Sequence, residues 1–296
     1  MNAPVSAAGV AAYLNIPTAG SPAWLHDGRI AFISDASGVP NVWTARPGRQ
    51  PEPLTSFPDR IRALAASPAG DRLVFAMDRG GNERDQLWLL DVTNGEQRAL
   101  TDDPETIHGF GDFAPDGRRI AFASNARDPH FFDVMTLGLD DPAAIPIPAL
   151  SLDEHLSPVA FSPDGTRLLV RRDNTNLDAD LLLMSLDGDE LIELTPHEGE
   201  AFVPHAAFDP AGDAIWLVSN QDRDLLALMR RDLVNGEPSV VIEHAWDIEA
   251  FALTPGGEWI AYAVNEDGPS RLWLRSTSSG EERAVSGLPD GVIEGL

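Results

Sequence analysis

The sequence predicts an all-β protein, a β-propeller of four-stranded antiparallel blades with six complete repeats and the start of a seventh. One observation is periodicity: the turn glycines Gly28, Gly70, Gly117, Gly165, Gly212 and Gly257 follow one another at gaps of 42, 47, 48, 47 and 45 residues. Spacing of that size marks a unit that cannot bury its own apolar faces and must stack on copies of itself. The second observation is that each unit reads as four short strands. The third is that no long helical pattern separates them, as a parallel sheet would require.

The clearest copy is Phe161-Ser162-Pro163-Asp164-Gly165-Thr166-Arg167-Leu168-Leu169-Val170, an apolar strand end, a tight turn and a second strand. Proline presets φ near −65°, aspartate bonds its own backbone, and glycine takes the positive φ that a side chain resists. Residues 1–20, rich in Ala, Pro and Gly, read as an arm with a short helical turn. Blades fall near 21–56, 61–103, 109–152, 157–197, 204–244 and 248–287, and 291–296 reads as the first strand of a truncated seventh blade. Within a blade the third strand often carries a Leu-Trp pair, as at Leu87-Trp88 and Leu272-Trp273. The fourth often ends in Leu-Thr, as at Leu54-Thr55, Leu100-Thr101 and Leu194-Thr195. The last strand of the third blade contains Pro146 and Pro148, which belong on an outer edge where a missing donor costs least. A ring of six blades and a fragment either closes or exposes sheet faces, so the chain is expected to be the front part of a longer protein.

Composition narrows the partners. The chain has 21 basic and 47 acidic residues, a net charge of −26, and every basic residue is arginine. Such a field repels phosphate backbones and anionic lipid, so neither nucleic acid nor membrane is an expected partner. There is no cysteine, hence no disulfide or thiolate chemistry. Residues 1–15 lack the basic start and apolar run of a signal peptide, which points to a cytoplasmic address. The seven histidines show no metal-type pairing. A calcium held by carboxylates on inner strands, such as Asp112, Asp209 or Glu249, is the weaker alternative. No metal or cofactor is expected.

The run Gly80-Gly81-Asn82-Glu83-Arg84-Asp85-Gln86-Leu87-Trp88, with His108-Gly109-Phe110-Gly111-Asp112-Phe113 and Ala123-Ser124-Asn125-Ala126-Arg127, resembles the N-terminal propeller of prolyl-oligopeptidase family serine peptidases, especially their acylaminoacyl-peptidase-like branch. The Pro-Asp-Gly turns are shared with TolB-like propellers. The resemblance implies a seven-bladed propeller that caps an α/β-hydrolase domain and restricts access to peptides, with the catalytic triad in that other domain. No Gly-x-Ser-x-Gly nucleophile elbow occurs in these residues, so the chain itself is expected to be non-catalytic. The expected partners are an α/β-hydrolase domain of the same longer protein and peptide substrates. The alternative is a stand-alone TolB-like interaction module.

Recognition belongs on the loops joining second to third strands, which are longer and more polar than the turns opposite. They contain the candidates Arg79, Glu83, Arg84, Arg127 and Phe131 and, at the start of the loop Arg172 to Asp180, Arg171 and Arg172, while His108 lies between a fourth and a first strand. An arginine fork can hold a peptide carboxylate, Glu83 can pair with a peptide amine, and Phe131 can anchor an apolar group. The competing role for the charged groups is to tie loop to loop or to the other domain.

Overall fold

A computed structural model describes residues 16–234, 236–293 and 295–296. The arm's helical turn lies outside the described residues. Among the described residues there are 24 strands in six antiparallel four-stranded sheets, and no helix. The fold is a β-propeller of six such blades. Contacts divide the chain into two units, Met1–His108 and Gly109–Leu296.

The first unit holds two blades: β1 (Ala19–Trp24), β2 (Ile30–Ser34), β3 (Asn41–Ala45) and β4 (Glu52–Pro53), then β5 (Ile61–Ala66), β6 (Arg72–Met77), β7 (Gln86–Asp91) and β8 (Gln97–Ala99). Leu25, Ala31 and Val42 of the first pack against Ile61, Leu73, Phe75 and Met77 of the second. Phe75 stacks on Trp88 at 6.2 Å and 12°, which accounts for the tryptophan of the Leu-Trp pair.

The second unit carries four blades. They are β9 (His108–Phe113), β10 (Arg119–Ser124), β11 (Asp133–Gly138) and β12 (Ile147–Leu150); β13 (His155–Phe161), β14 (Arg167–Thr175), β15 (Asp178–Ser185) and β16 (Leu191–Glu193); β17 (His205–Phe208), β18 (Ala214–Ser219), β19 (Ala227–Asp232) and β20 (Ser239–Ile242); and β21 (Ile248–Leu253), β22 (Trp259–Asn265), β23 (Ser270–Ser276) and β24 (Glu282–Ala284). β12, with Pro148, is an edge strand. The run Leu168-Leu169-Val170 is apolar throughout because both faces of its sheet are covered. Leu168 and Val170 join the cluster containing Val134 and Leu156, whereas Leu169 joins the one containing Phe208, Ile215 and Leu217.

Two repeated sequence features have specific jobs. The Leu-Thr threonines accept a third-strand amide on their hydroxyls: Val42 N donates to Thr55 at 2.9 Å, Leu87 N to Thr101 at 2.9 Å and Leu181 N to Thr195 at 2.8 Å. The proline-glycine turns close hairpins and also join blades. Arg119 donates to the Gly165 carbonyl at 2.9 Å and Arg167 to that of Gly212 at 2.6 Å, each guanidinium lying over the phenylalanine of the next blade. A Cβ on Gly212, whose φ is +75°, would stand 3.2 Å from Pro163 of the preceding turn. Glycine is required there by close approach as well as by backbone angle.

The stretch 291–296 departs from the expected strand, since none of its described residues lies in one. Ser270 N donates to the Gly291 carbonyl at 2.7 Å and Ile293 N to Ser270 Oγ at 2.9 Å. A first strand forms against the second strand of its own blade, whereas Gly291 and Ile293 are held by Ser270 of the third strand of the sixth blade.

Candidate functional site

In the first unit the loop 78–85 is tied to the linker 101–107. Arg79 pairs with Asp102 at 2.7 Å, and Arg84 reaches Glu105 and the Pro104 carbonyl. Beneath them buried Gln86 donates to the carbonyls of Asp103 at 2.8 Å and Thr106 at 2.9 Å, and accepts from Asp103 N at 3.0 Å. Glu83 sits at the exposed tip with φ +60°, its amide donating to buried Asp78 at 3.1 Å. His108 opens β9 and is buried. Desolvation pushes its imidazole down to about 4 despite the nearby Asp103 carboxylate, so it is neutral at pH 7.

In the second unit Arg127 grips both oxygens of buried Asp133 at 2.9 to 3.1 Å, Asp153 at 3.0 Å and the Leu152 carbonyl at 2.6 Å. These carboxylates hold its guanidinium above the ordinary arginine range. Phe131 is half-buried beside His130, with its amide donating to the Asp128 carbonyl at 3.2 Å.

Arg171 and Arg172 separate because neighbouring residues of a strand face opposite ways. Arg172 donates to Asp180 at 2.6 and 3.0 Å and lies 3.3 Å from Glu193 and 3.7 Å from Glu154. Next to this network His197, its side chain 5% exposed, places Nδ1 at 2.8 Å from the Thr195 carbonyl and Nε2 at 2.8 Å from Asp178. Burial opposes its charge, yet with acceptors at both nitrogens and Asp180 close by its pKa lies above the ordinary histidine value. Arg171 instead lines a groove of about 490 Å³ with His155, Asp173, Asn174, Thr175, Asn176 and Phe202.

Sequence reasoning thus named loop arginines without separating those that tie loops to linkers from the one that lines a cavity. It missed Gln86, His197, Asp173, Asn176 and Phe202. The length of the β14 and β15 hairpin, with its run Arg171-Arg172-Asp173-Asn174-Thr175-Asn176, was the available signal. The carboxylates considered for calcium face protein donors. Asp112 accepts from Phe113 N at 2.8 Å and Phe161 N at 2.9 Å, and burial, countered by these amides, pushes it up to about 6. Glu249 accepts from Asn265 and Ser270, both at 2.7 Å, and Asp209 from Gly212 N at 2.8 Å. Among the described residues no group of three or more His, Cys, Asp or Glu could hold a metal ion, and no helix is long and apolar enough to cross a membrane.

Six blades with polar loops pinned to the linkers define the class of a β-propeller. No family model matches the chain. It is 23% identical over 225 residues to dipeptidyl aminopeptidase BIII of Pseudoxanthomonas mexicana, which covers 74% of this chain and 32% of that protein. A structure from a study of two prolyl endopeptidases superposes with a TM-score of 0.73 at 13% identity, over 93% of this chain and 44% of the other. TolB from Acinetobacter baumannii gives 0.60 at 18% identity, over 91% and 66%. The chain therefore spans about a third of its curated relative, 32%, and shares the β-propeller fold of the solved structures it superposes on.

Proposed function

We propose that this chain is the non-catalytic, substrate-gating propeller of a cytoplasmic serine oligopeptidase of the acylaminoacyl-peptidase-like kind. Its working partner is an α/β-hydrolase domain of the same longer protein. The observation that carries this reading is the 225-residue similarity to a dipeptidyl aminopeptidase. The loop geometry supports it: in the first unit Arg79 and Arg84, and in the second Arg127, fasten polar loops to their linkers, so that each unit offers ordered loops to a peptide or a partner domain. Arg171, with Glu83 and Phe131 at or near loop tips, is the group left to meet peptide or the partner domain.

The test is to read the rest of the gene and assay the full-length protein on aminoacyl and acylaminoacyl esters. A downstream Gly-x-Ser-x-Gly elbow whose Ser→Ala variant abolishes turnover is the expected result. Turnover by residues 1–296 alone, removed by one substitution within them, would end this reading. The second reading, a TolB-like protein-interaction propeller, is favoured by the superposition on TolB. It gains if the full-length protein has no hydrolase domain.

A further inference from the structure

Resting on the peptide-admitting role proposed above, we infer that the groove beside the β14 and β15 hairpin is a subsite for the free C-terminal carboxylate of a short peptide, with Arg171 as the recognising group. Its position follows from strand alternation. Arg167, Leu169, Arg171 and Asp173 share one face of β14, the face whose Leu169 packs against the following blade. Phe202, on the linker to that blade, also lines the groove.

Arg171 differs from its neighbour in what remains free. Nε and Nη2 of Arg171 meet Asp173 at 2.8 and 3.2 Å, both side chains about 30% exposed, and Nη1 has no partner among the described residues. Arg172 is surrounded by Asp180, Glu193 and Glu154 and has no edge to offer. A guanidinium carries donors on more than one edge, so a ligand carboxylate can bond Nη1 while Asp173 keeps the other side. Asp173 alongside disfavours a second anion deeper in the groove, which selects a ligand with one terminal negative charge over a polyanion. Half-buried Phe202 offers an apolar wall to the last side chain, and exposed Asn176 offers an amide to the peptide main chain. At about 490 Å³ the groove has the size of a small-ligand site. In a chain of net charge −26 a peptide carboxylate is repelled by most of the surface, so a cation with a free edge fixes where it settles.

The probes are Ala-Ala-Phe as the free acid, its C-terminal amide, and amidated Ala-Ala-Glu, titrated calorimetrically into the full chain and into its Arg171→Gln and Arg171→Lys variants. The free acid is expected to bind the unsubstituted chain about tenfold to a hundredfold more tightly than the amide, the range of one charge-assisted hydrogen bond. Arg171→Gln should erase that preference and Arg171→Lys retain part of it, with unchanged circular dichroism. Equal binding of acid and amide, absence of binding at millimolar peptide, or a preference that survives Arg171→Gln would overturn the inference. So would amidated Ala-Ala-Glu binding as tightly as the free acid, because the site would then read a side chain. If Arg171→Gln does not fold, the comparison of acid with amide on the unsubstituted chain still decides. A full-length peptidase without acid preference sinks this inference alone, whereas a gene without a nucleophile elbow sinks the gating role.

Discussion

His108 and His197 titrate in opposite directions because of what surrounds each ring. At His108 desolvation dominates and holds the group down to about 4. At His197 acceptors face both nitrogens, so the imidazolium is favoured although the side chain is buried. The stability consequences have opposite signs. For His108, whose folded value is depressed, the contribution is intact above the ordinary value near 6.5 and is lost as pH falls toward about 4. For His197, whose folded value is raised, the contribution is full below about 6.5 and is lost as pH rises through the folded value. A nuclear magnetic resonance titration of the histidine rings should find His108 still neutral at pH 5 and His197 titrating above the ordinary histidine value. The thermal stability gap between the native chain and His197→Gln should be wider at pH 5.5 than at pH 9. A gap independent of pH would mean that His197 is held as a neutral ring.

Among the hairpins and linkers, the ion pairs differ in exposure, and exposure sets their energetic weight. Arg79 and Asp102 are 47% and 65% exposed, whereas Asp180 beneath Arg172 is 6% exposed. Removing Arg79 should cost about 0 to 1 kcal/mol. Arg172→Ala takes the guanidinium from buried Asp180, which keeps only Asn174 at 2.9 Å and His197 at 3.4 Å, and should cost about 2 to 3 kcal/mol, with most of the loss recovered in Arg172→Ala/Asp180→Asn. Urea denaturation of the three variants reads both figures, and equal losses for Arg79 and Arg172 would contradict them. The same contrast explains what was legible beforehand. The four-strand blades could be read because apolar alternation and the proline-glycine turns are local features. The tie between Arg119 and Gly165 joins residues 46 apart in sequence, and no spacing rule announces it. The loop face was legible as polar length. Which of two adjacent arginines faces a cavity is decided by strand phase, and a shift of one residue would exchange them. His197 stands at the end of the fourth blade as read from sequence and counted only among the seven histidines without metal-type pairing, because its partner Asp178 stands 19 residues earlier.

For the molecule as a whole, charge imbalance competes with ion pairing. The 47 acidic residues face 21 arginines, so even with every arginine paired once, 26 negative charges have no counterpart. Added salt weakens the loop pairs, each worth about 0 to 1 kcal/mol where exposed, and equally weakens repulsion among the excess carboxylates. Repulsion acts between many charges at once and over distances that the Debye length spans at low ionic strength, whereas a pair in contact is screened less. Raising sodium chloride from about 0.01 to about 0.15 M shortens that length from about 30 Å to about 8 Å. The long-range repulsive part is lost first, and it is larger in the compact state than in the expanded unfolded chain. The melting temperature at pH 8, where depressed carboxylates are fully ionised and His108 is neutral, should therefore rise over this range. An uncharged osmolyte at matched osmolality separates screening from solvent exclusion, and a melting temperature that falls with salt would assign the larger share of electrostatic stability to the arginine pairs.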